Sequence, residues 1–236
     1  MAEARANTMS GVPILYFAPG TCARVALTAL EEVGQPFETR LIAFMAGDHR
    51  SPDFLAINPA GKVPALVTDE GVITQNTAIL WYLARRHPEA HLLPIPETPS
   101  DEARLIARLA HFSADLHPAV SRIVVPFLFV QSREAQSELR DAAGKAIVFH
   151  LAALDRELGG KPWLLGEAWS VLDSYLGWVW FRITGAGFDG SPFPAIAAHY
   201  ARLNQRPAVQ RCLEREAAAQ ADLAARGLAA PNINNG

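Results

Sequence analysis

The stretch Ile57 to Arg86, INPAGKVPALVTDEGVITQNTAILWYLARR, constrains the fold more than any other part of the chain. Asn58-Pro59-Ala60-Gly61 carries proline second and glycine fourth, the pattern of a turn. Val63-Pro64 then opens the apolar run Ala65-Leu66-Val67. Proline has no N–H to give to a ladder, so it belongs at the first residue of a strand. Asp69-Glu70-Gly71 is a tight connection to Val72-Ile73, and Thr74-Gln75-Asn76 stops that strand and can cap a helix. Ile79, Tyr82 and Leu83 have helical spacing, and Arg85, Arg86, His87 and Pro88 are stop signals. With a cis Val63-Pro64 bond, the backbone of Val63 can turn outward and pair with a short peptide as an added strand. N–H groups at Gln75 and Asn76 suit a carboxylate. A plain β-β-α unit with an edge proline fits these residues equally well.

The segments before this stretch give it a context. Pro13 to Phe17 fits a buried parallel strand, and Ala18-Pro19-Gly20-Thr21 is a loop. A helix runs from Cys22 to Val33 with Gly34 as its C-cap, and Phe37 to Ile42 reads as a second strand. A β-α-β opening thus precedes the β-β-α unit. Leu93 to Pro99 holds three prolines and marks a boundary, after which helix formers dominate. One long helix is expected from near Asp101 through the apolar run Ile123 to Val130, bent near Pro118 and Pro126. A second spans Arg133 to Leu158 and ends at Gly159-Gly160. Ser170-x-x-Asp173 starts a helix that is apolar nearly all round and therefore buried. Phe193 to Leu203 and Pro207 to Ala224 are two more helices. Met1 to Gly11 and Gly227 to Gly236 read as tails.

Four motifs in this order carry a resemblance. GKVPAL followed by TQNTAILWYLA resembles the glutathione-binding half of the glutathione S-transferases. In that family Val-Pro is the cis pair, and the later pair is usually Glu/Gln-Ser; here it is Gln75-Asn76. GEAWSVLDSYL resembles the buried capping box of the family's all-α domain, and RPAVQRCLERE resembles a common late-helix sequence. The resemblance spans roughly Pro13 to Glu216. It implies a two-domain fold, an N-terminal thioredoxin-like α/β domain plus a C-terminal all-α helical domain. Residues 12–92 would bind glutathione, 93–100 would be a linker, and 101–226 would bind the second substrate and form a homodimer.

The chemistry is expected near Cys22. A thiol at a helix N-terminus meets the positive end of the helix dipole, which favours a thiolate, either its own or that of a bound thiol. The neighbouring Arg24 acts in the same sense. YFAPGTCARVAL resembles the bacterial beta class, in which the matching cysteine lies next to the glutathione sulfur; Ala23 replaces that class's usual serine. Val25 stands where a C-x-x-C pair would need its second cysteine, which argues against dithiol redox chemistry. FSADLHPAV resembles the beta-class helix carrying a His-Lys pair, with His117 matching the histidine and Pro118 in the lysine's place. The resemblance makes Lys62, Val63, Pro64, Gln75 and Asn76 glutathione-binding residues, Lys62 as the base for the glycine carboxylate with His49 and Arg50 in reserve. Tyr16 is expected to pack in the core, as is Cys212.

Composition sets the remaining bounds. A net charge of −3 gives no basic footprint for nucleic acid, and no apolar run reaches membrane-spanning length. Two distant cysteines suggest no disulfide framework and fit a reducing cytoplasm. His111, His150 and His199 are scattered singly, with no metal-ligand spacing. The expected activity is conjugation of glutathione, as co-substrate, to small hydrophobic electrophiles. A glutathione-dependent thiol-disulfide reductase using Cys22 and a non-catalytic interaction module remain open at this stage.

Overall fold

The structure, a computed structural model, describes residues 11–229. Of the two expected tails, residues 1–10 and 230–236 lie outside them. By its internal contacts the chain forms two units, residues 11–93 with 206–229, and residues 94–205.

The first unit holds a four-stranded sheet in the order β2-β1-β3-β4. Strand β1 (Ile14–Phe17) pairs in parallel with β2 (Glu38–Leu41) and antiparallel with β3 (Ala65–Thr68), which forms a hairpin with β4 (Gly71–Thr74). The hairpin closes through Thr68, whose hydroxyl donates to Gly71 O and accepts the Glu70 N–H. Helix α1 (Ala23–Val33) is buried along most of its length and ends at Gly34 in the left-handed region. Helix α3 (Asn76–Arg86) packs beside it. Between β2 and β3 lies a short helix, α2 (Pro52–Ile57), that the sequence reading did not include. Its signal was present: Ser51 caps the Phe54 N–H and Pro52 occupies the first turn.

The final helix, α9 (Pro207–Ala225), was expected in the helical domain but belongs by its contacts to the first unit. Charge pairs and burial explain this. Arg206 binds Glu32, and Arg211 and Arg215 both bind Glu31, all on α1. Cys212 and Glu216 on the inner face of α9 are buried.

The second unit is all helical: α4 (Pro99–Ala110), α5 (His117–Val124), α6 (Arg133–Leu158), α7 (Val171–Gly185) and α8 (Pro194–Leu203). A π-helical segment, His111–Leu116, joins α4 to α5. The long helix expected through Val130 stops at Val124 instead. Pro126 cannot donate to the carbonyl four residues back, and Pro126–Leu128 forms a 3-10 turn that leaves Phe127, Leu128 and Phe129 exposed.

Helix α7 is the buried axis of this unit. The fully buried carboxylate of Asp173 accepts from the Ser170 N–H and hydroxyl and from the Leu164 N–H, with His199 Nε2 2.9 Å away. One side chain thus ties the helix start to the preceding loop and to α8. Gly177 lets α8 approach, since a Cβ there would stand 2.2 Å from Leu203. Among the described residues no helix is long and apolar enough to cross a membrane.

His111 and His150, expected as isolated histidines, meet across α6 with ring nitrogens 3.0 Å apart. Burial, then the adjacent His150, holds the His111 imidazole below its ordinary range; Arg108 acts likewise, while Asp115 and Glu157 oppose. The unfolded chain therefore takes up the proton first. This contribution to stability is full above the ordinary histidine value of about 6.5 and is lost as pH falls through it. The urea midpoint should drop between about pH 7.5 and about pH 5.5, and His111→Gln should make that drop shallower. An equal drop in the variant would contradict this assignment.

Candidate active site

The sequence gives α1 no Ser, Asp or Asn at its start, and the helix begins instead behind Cys22, its N-cap residue. The side chain of Cys22 makes no cap hydrogen bond to the helix, leaving the sulfur turned elsewhere. Its Sγ lies 3.7 Å from Val63 O, the carbonyl immediately before Pro64 and β3. The Val63-Pro64 peptide is cis. The loop leading to Cys22 is closed by Thr21, whose hydroxyl donates to Ala18 O at 2.7 Å and accepts the Ala23 N–H.

The start of α3 reaches the same place. Gln75 is exposed and holds φ 71°, one of two non-glycine positive φ values among the described residues. A residue held there is strained and persists where its surroundings demand it. The turn brings Asn76 inward, 5% exposed, and its Nδ2 donates to Cys22 O at 2.8 Å. Asn76 Oδ1 is buried with no partner. The side chain of Asn76 is therefore engaged with the cysteine's own backbone, and the leading N–H groups of α3 have no intrahelical carbonyl to meet.

Lys62 is exposed, and its carbonyl accepts from Asn58 Nδ2. The turn before it rests on the segment carrying the two reserve bases. Gly61, at φ 62°, would place a Cβ 2.8 Å from His49 O and 3.3 Å from Arg50 Nη1. The Asn58–Gly61 turn thus packs on the His49–Arg50 segment, with Lys62 the next residue along.

Arg24 pairs with a residue of α9. Its guanidinium is bound to the buried carboxylate of Glu216 on α9, at 2.8 Å from Nε, so its charge is matched there. Tyr16 stacks at a tilt on Phe54, and burial pushes its hydroxyl up, away from an acidified phenol. Cys212 is buried and pushed up to about 12, chiefly by burial, with Glu216 adding to it. It is a structural thiol.

His117 lies in the second unit, at the first residue of α5. Its Nδ1 is 3.3 Å from the Tyr175 hydroxyl, and its ring stands edge-on to Trp178 at 4.7 Å. Tyr175 also stacks on Phe112. Aromatic side chains thus fix the imidazole plane, and one hydroxyl occupies one of its nitrogens. Among the described residues no group of three or more His, Cys, Asp and Glu side chains could hold a metal ion.

The residues that sequence reasoning missed are those acting from far away in the chain. Glu216 reaches Gly20 and Arg24 across more than 190 positions, with no local pattern to mark it. Only its place in a late amphipathic helix could have flagged it.

The chain is similar to known proteins along most of its length. The family model for the glutathione S-transferase N-terminal domain matches residues 12–85, and that for the C-terminal domain matches residues 137–202. A glutathione S-transferase of Xanthomonas campestris pv. campestris, GST-4.5, is 31% identical over 202 residues, covering 86% of this chain and 98% of its own. A sphingomonad glutathione S-transferase solved in complex with glutathione is 36% identical with a TM-score of 0.75, over 86% of this chain and 98% of that one. The beta-class glutathione S-transferase of Sphingomonas chungbukensis gives the same identity, coverage and TM-score. A thioredoxin-like sheet, an all-helical second unit, and these matches along nearly the whole length establish that the chain belongs to the glutathione S-transferase family.

Proposed function

We propose that this chain conjugates the thiolate of glutathione to small hydrophobic electrophiles, with Cys22 beside the glutathione sulfur. The observation that carries this reading is the meeting of three distant segments at one cysteine. Val63 O is 3.7 Å from its sulfur, and Asn76 holds its carbonyl. In this reading the extended peptide of glutathione pairs with the backbone of Val63, just ahead of Pro64. Its γ-glutamyl carboxylate sits at the leading N–H groups of Gln75 and Asn76, where the helix dipole favours an anion. Lys62, with His49 and Arg50 nearby, faces the glycine carboxylate. Glutathione bound to relatives is reported for a sphingomonad enzyme of this family.

The sulfur chemistry needs a donor and a positive field. Cys22 at the start of α1 supplies both, as a thiol that gives its hydrogen bond to the glutathione thiolate and as a mark of the helix's positive end. A second negative charge on Cys22 would repel that thiolate, so the donor role suits conjugation. His117 enters through the beta-class resemblance, as a proton donor to the leaving group. The second substrate would be held by the apolar helices of the second unit. Cys22 and Cys212 stand as thiols and not as a disulfide, which suits a reducing cytoplasm.

A homodimer belongs to the same reading. Ile106 on α4 and Val148 and Phe149 on α6 are large apolar side chains left exposed, Phe149 by 79%. A second copy would cover them. Sedimentation at micromolar concentration should give a dimer; a species of only 25.6 kDa would contradict it.

Cys22→Ser and Cys22→Ala separate conjugation from thiol-disulfide exchange. The serine variant keeps a donor but loses the sulfur. It should retain measurable conjugation of a chloronitrobenzene-type electrophile and lose glutathione-disulfide exchange, while the alanine variant loses much of both. Wild-type conjugation by Cys22→Ala would remove Cys22 from the mechanism. Loss of all conjugation in Cys22→Ser, with exchange dominant in the wild type, would favour the reductase.

A further inference from the structure

The loop that carries Cys22 is gripped by a helix from the far end of the chain. Glu216 on α9 is 5% exposed, and its two carboxylate oxygens go to the two flanks of Cys22. Oε1 accepts the Gly20 N–H at 3.0 Å, two residues before the cysteine. Oε2 accepts from Arg24 Nε at 2.8 Å and from Nη2, two residues after it. One turn earlier on α9, Cys212 Sγ lies 3.7 Å from Arg24 O, and as a neutral thiol it donates there. The arginine is itself 13% exposed at its side chain, so the pair is largely shielded from screening solvent.

We propose that Glu216 is a positioning residue for Cys22, setting the curvature of the Gly20–Arg24 loop and cancelling the Arg24 charge beside the thiol. The inference rests on the reading of Cys22 as the group at the glutathione sulfur. A rigid carboxylate bridging both flanks fixes the cysteine between them, because a shift of the loop would stretch two charge-assisted bonds and one backbone bond together. The same carboxylate decides what electrostatics the thiol meets. With Glu216 ionised, Arg24 contributes little net charge; without it, an arginine two residues away would draw Cys22 toward the thiolate and away from the neutral donor that conjugation needs. Glu216 touches neither glutathione nor the reacting sulfur in this arrangement.

Two variants test this. Glu216→Gln keeps the shape and an acceptor for Gly20 but loses the charge; Glu216→Ala loses both. Iodoacetamide labelling without glutathione, resolved by peptide mass mapping, reads Cys22 and the buried Cys212 separately. We expect Cys22 to label faster in Glu216→Gln than in wild type, and faster still in Glu216→Ala, while Cys212 stays as protected as in wild type. In steady state, kcat for conjugation should fall roughly tenfold or more in Glu216→Gln, with KM for glutathione changed by less than about threefold. Unchanged Cys22 labelling in both variants overturns the proposal. Cys212 labelling in step with Cys22 in Glu216→Gln also overturns it, since the residue would then only hold the fold. Faster Cys22 labelling with wild-type conjugation upholds the grip on the loop and instead removes Cys22 from the sulfur site. Should Glu216→Ala fail to fold, the Gln variant alone decides.

Discussion

A chain that presents a thiol at a helix start must tie down every other polar group of the loop beneath it. The segment Ala18 to Arg24 meets this demand with four side chains from three places. Thr21 closes the loop on itself, Asn76 takes the Cys22 carbonyl, and Glu216 and Cys212 of α9 take the Gly20 N–H, the Arg24 guanidinium and the Arg24 carbonyl. Buried polar groups without partners are costly, so these bonds are as binding a constraint on the sequence as the apolar core of the sheet. What they leave toward Val63 is the sulfur. The position of α9 follows from the same demand: its inner face carries the two residues the loop requires, and the charge pairs to Glu31 and Glu32 hold it along α1.

The second unit solves a comparable problem with one carboxylate. Helix α7 is too apolar to have a solvent-facing side, so its N-terminus is buried with its unmade N–H groups. Asp173 answers the Ser170 and Leu164 amides together, and the Ser170 hydroxyl, so the helix can start inside the protein. The aromatic residues farther along that helix then set the ring of His117. In both units, a buried carboxylate at a helix start or beside one fixes the frame on which a candidate catalytic side chain stands.

Signals within a few residues of one another were legible in the sequence. The hairpin after Pro64, the helix from Arg133 to Leu158 and the Ser170-Asp173 box are all local, and the structure contains each. Ser51-Pro52-Asp53 is an equally local signal, for α2. Ile123 to Val130 misled because an apolar run does not say which side is buried, and because Pro126 weighs more than the pattern around it. The role of Arg24 could not be read, since its partner lies 192 positions away. The meeting of His111 with His150 escaped for the same reason, at a separation of 39. Asn76 is intermediate: its position at a helix start was legible, while its bond to the Cys22 carbonyl depends on how α3 packs beside α1.

In the proposed function the glutathione sulfur lies at the start of α1. A crystal structure of the wild-type protein with glutathione bound tests it most directly. The glutathione sulfur should lie within hydrogen-bonding reach of Cys22 Sγ, its backbone paired with Val63, and its γ-glutamyl carboxylate at the first turn of α3. Glutathione bound with its sulfur away from Cys22 would contradict it.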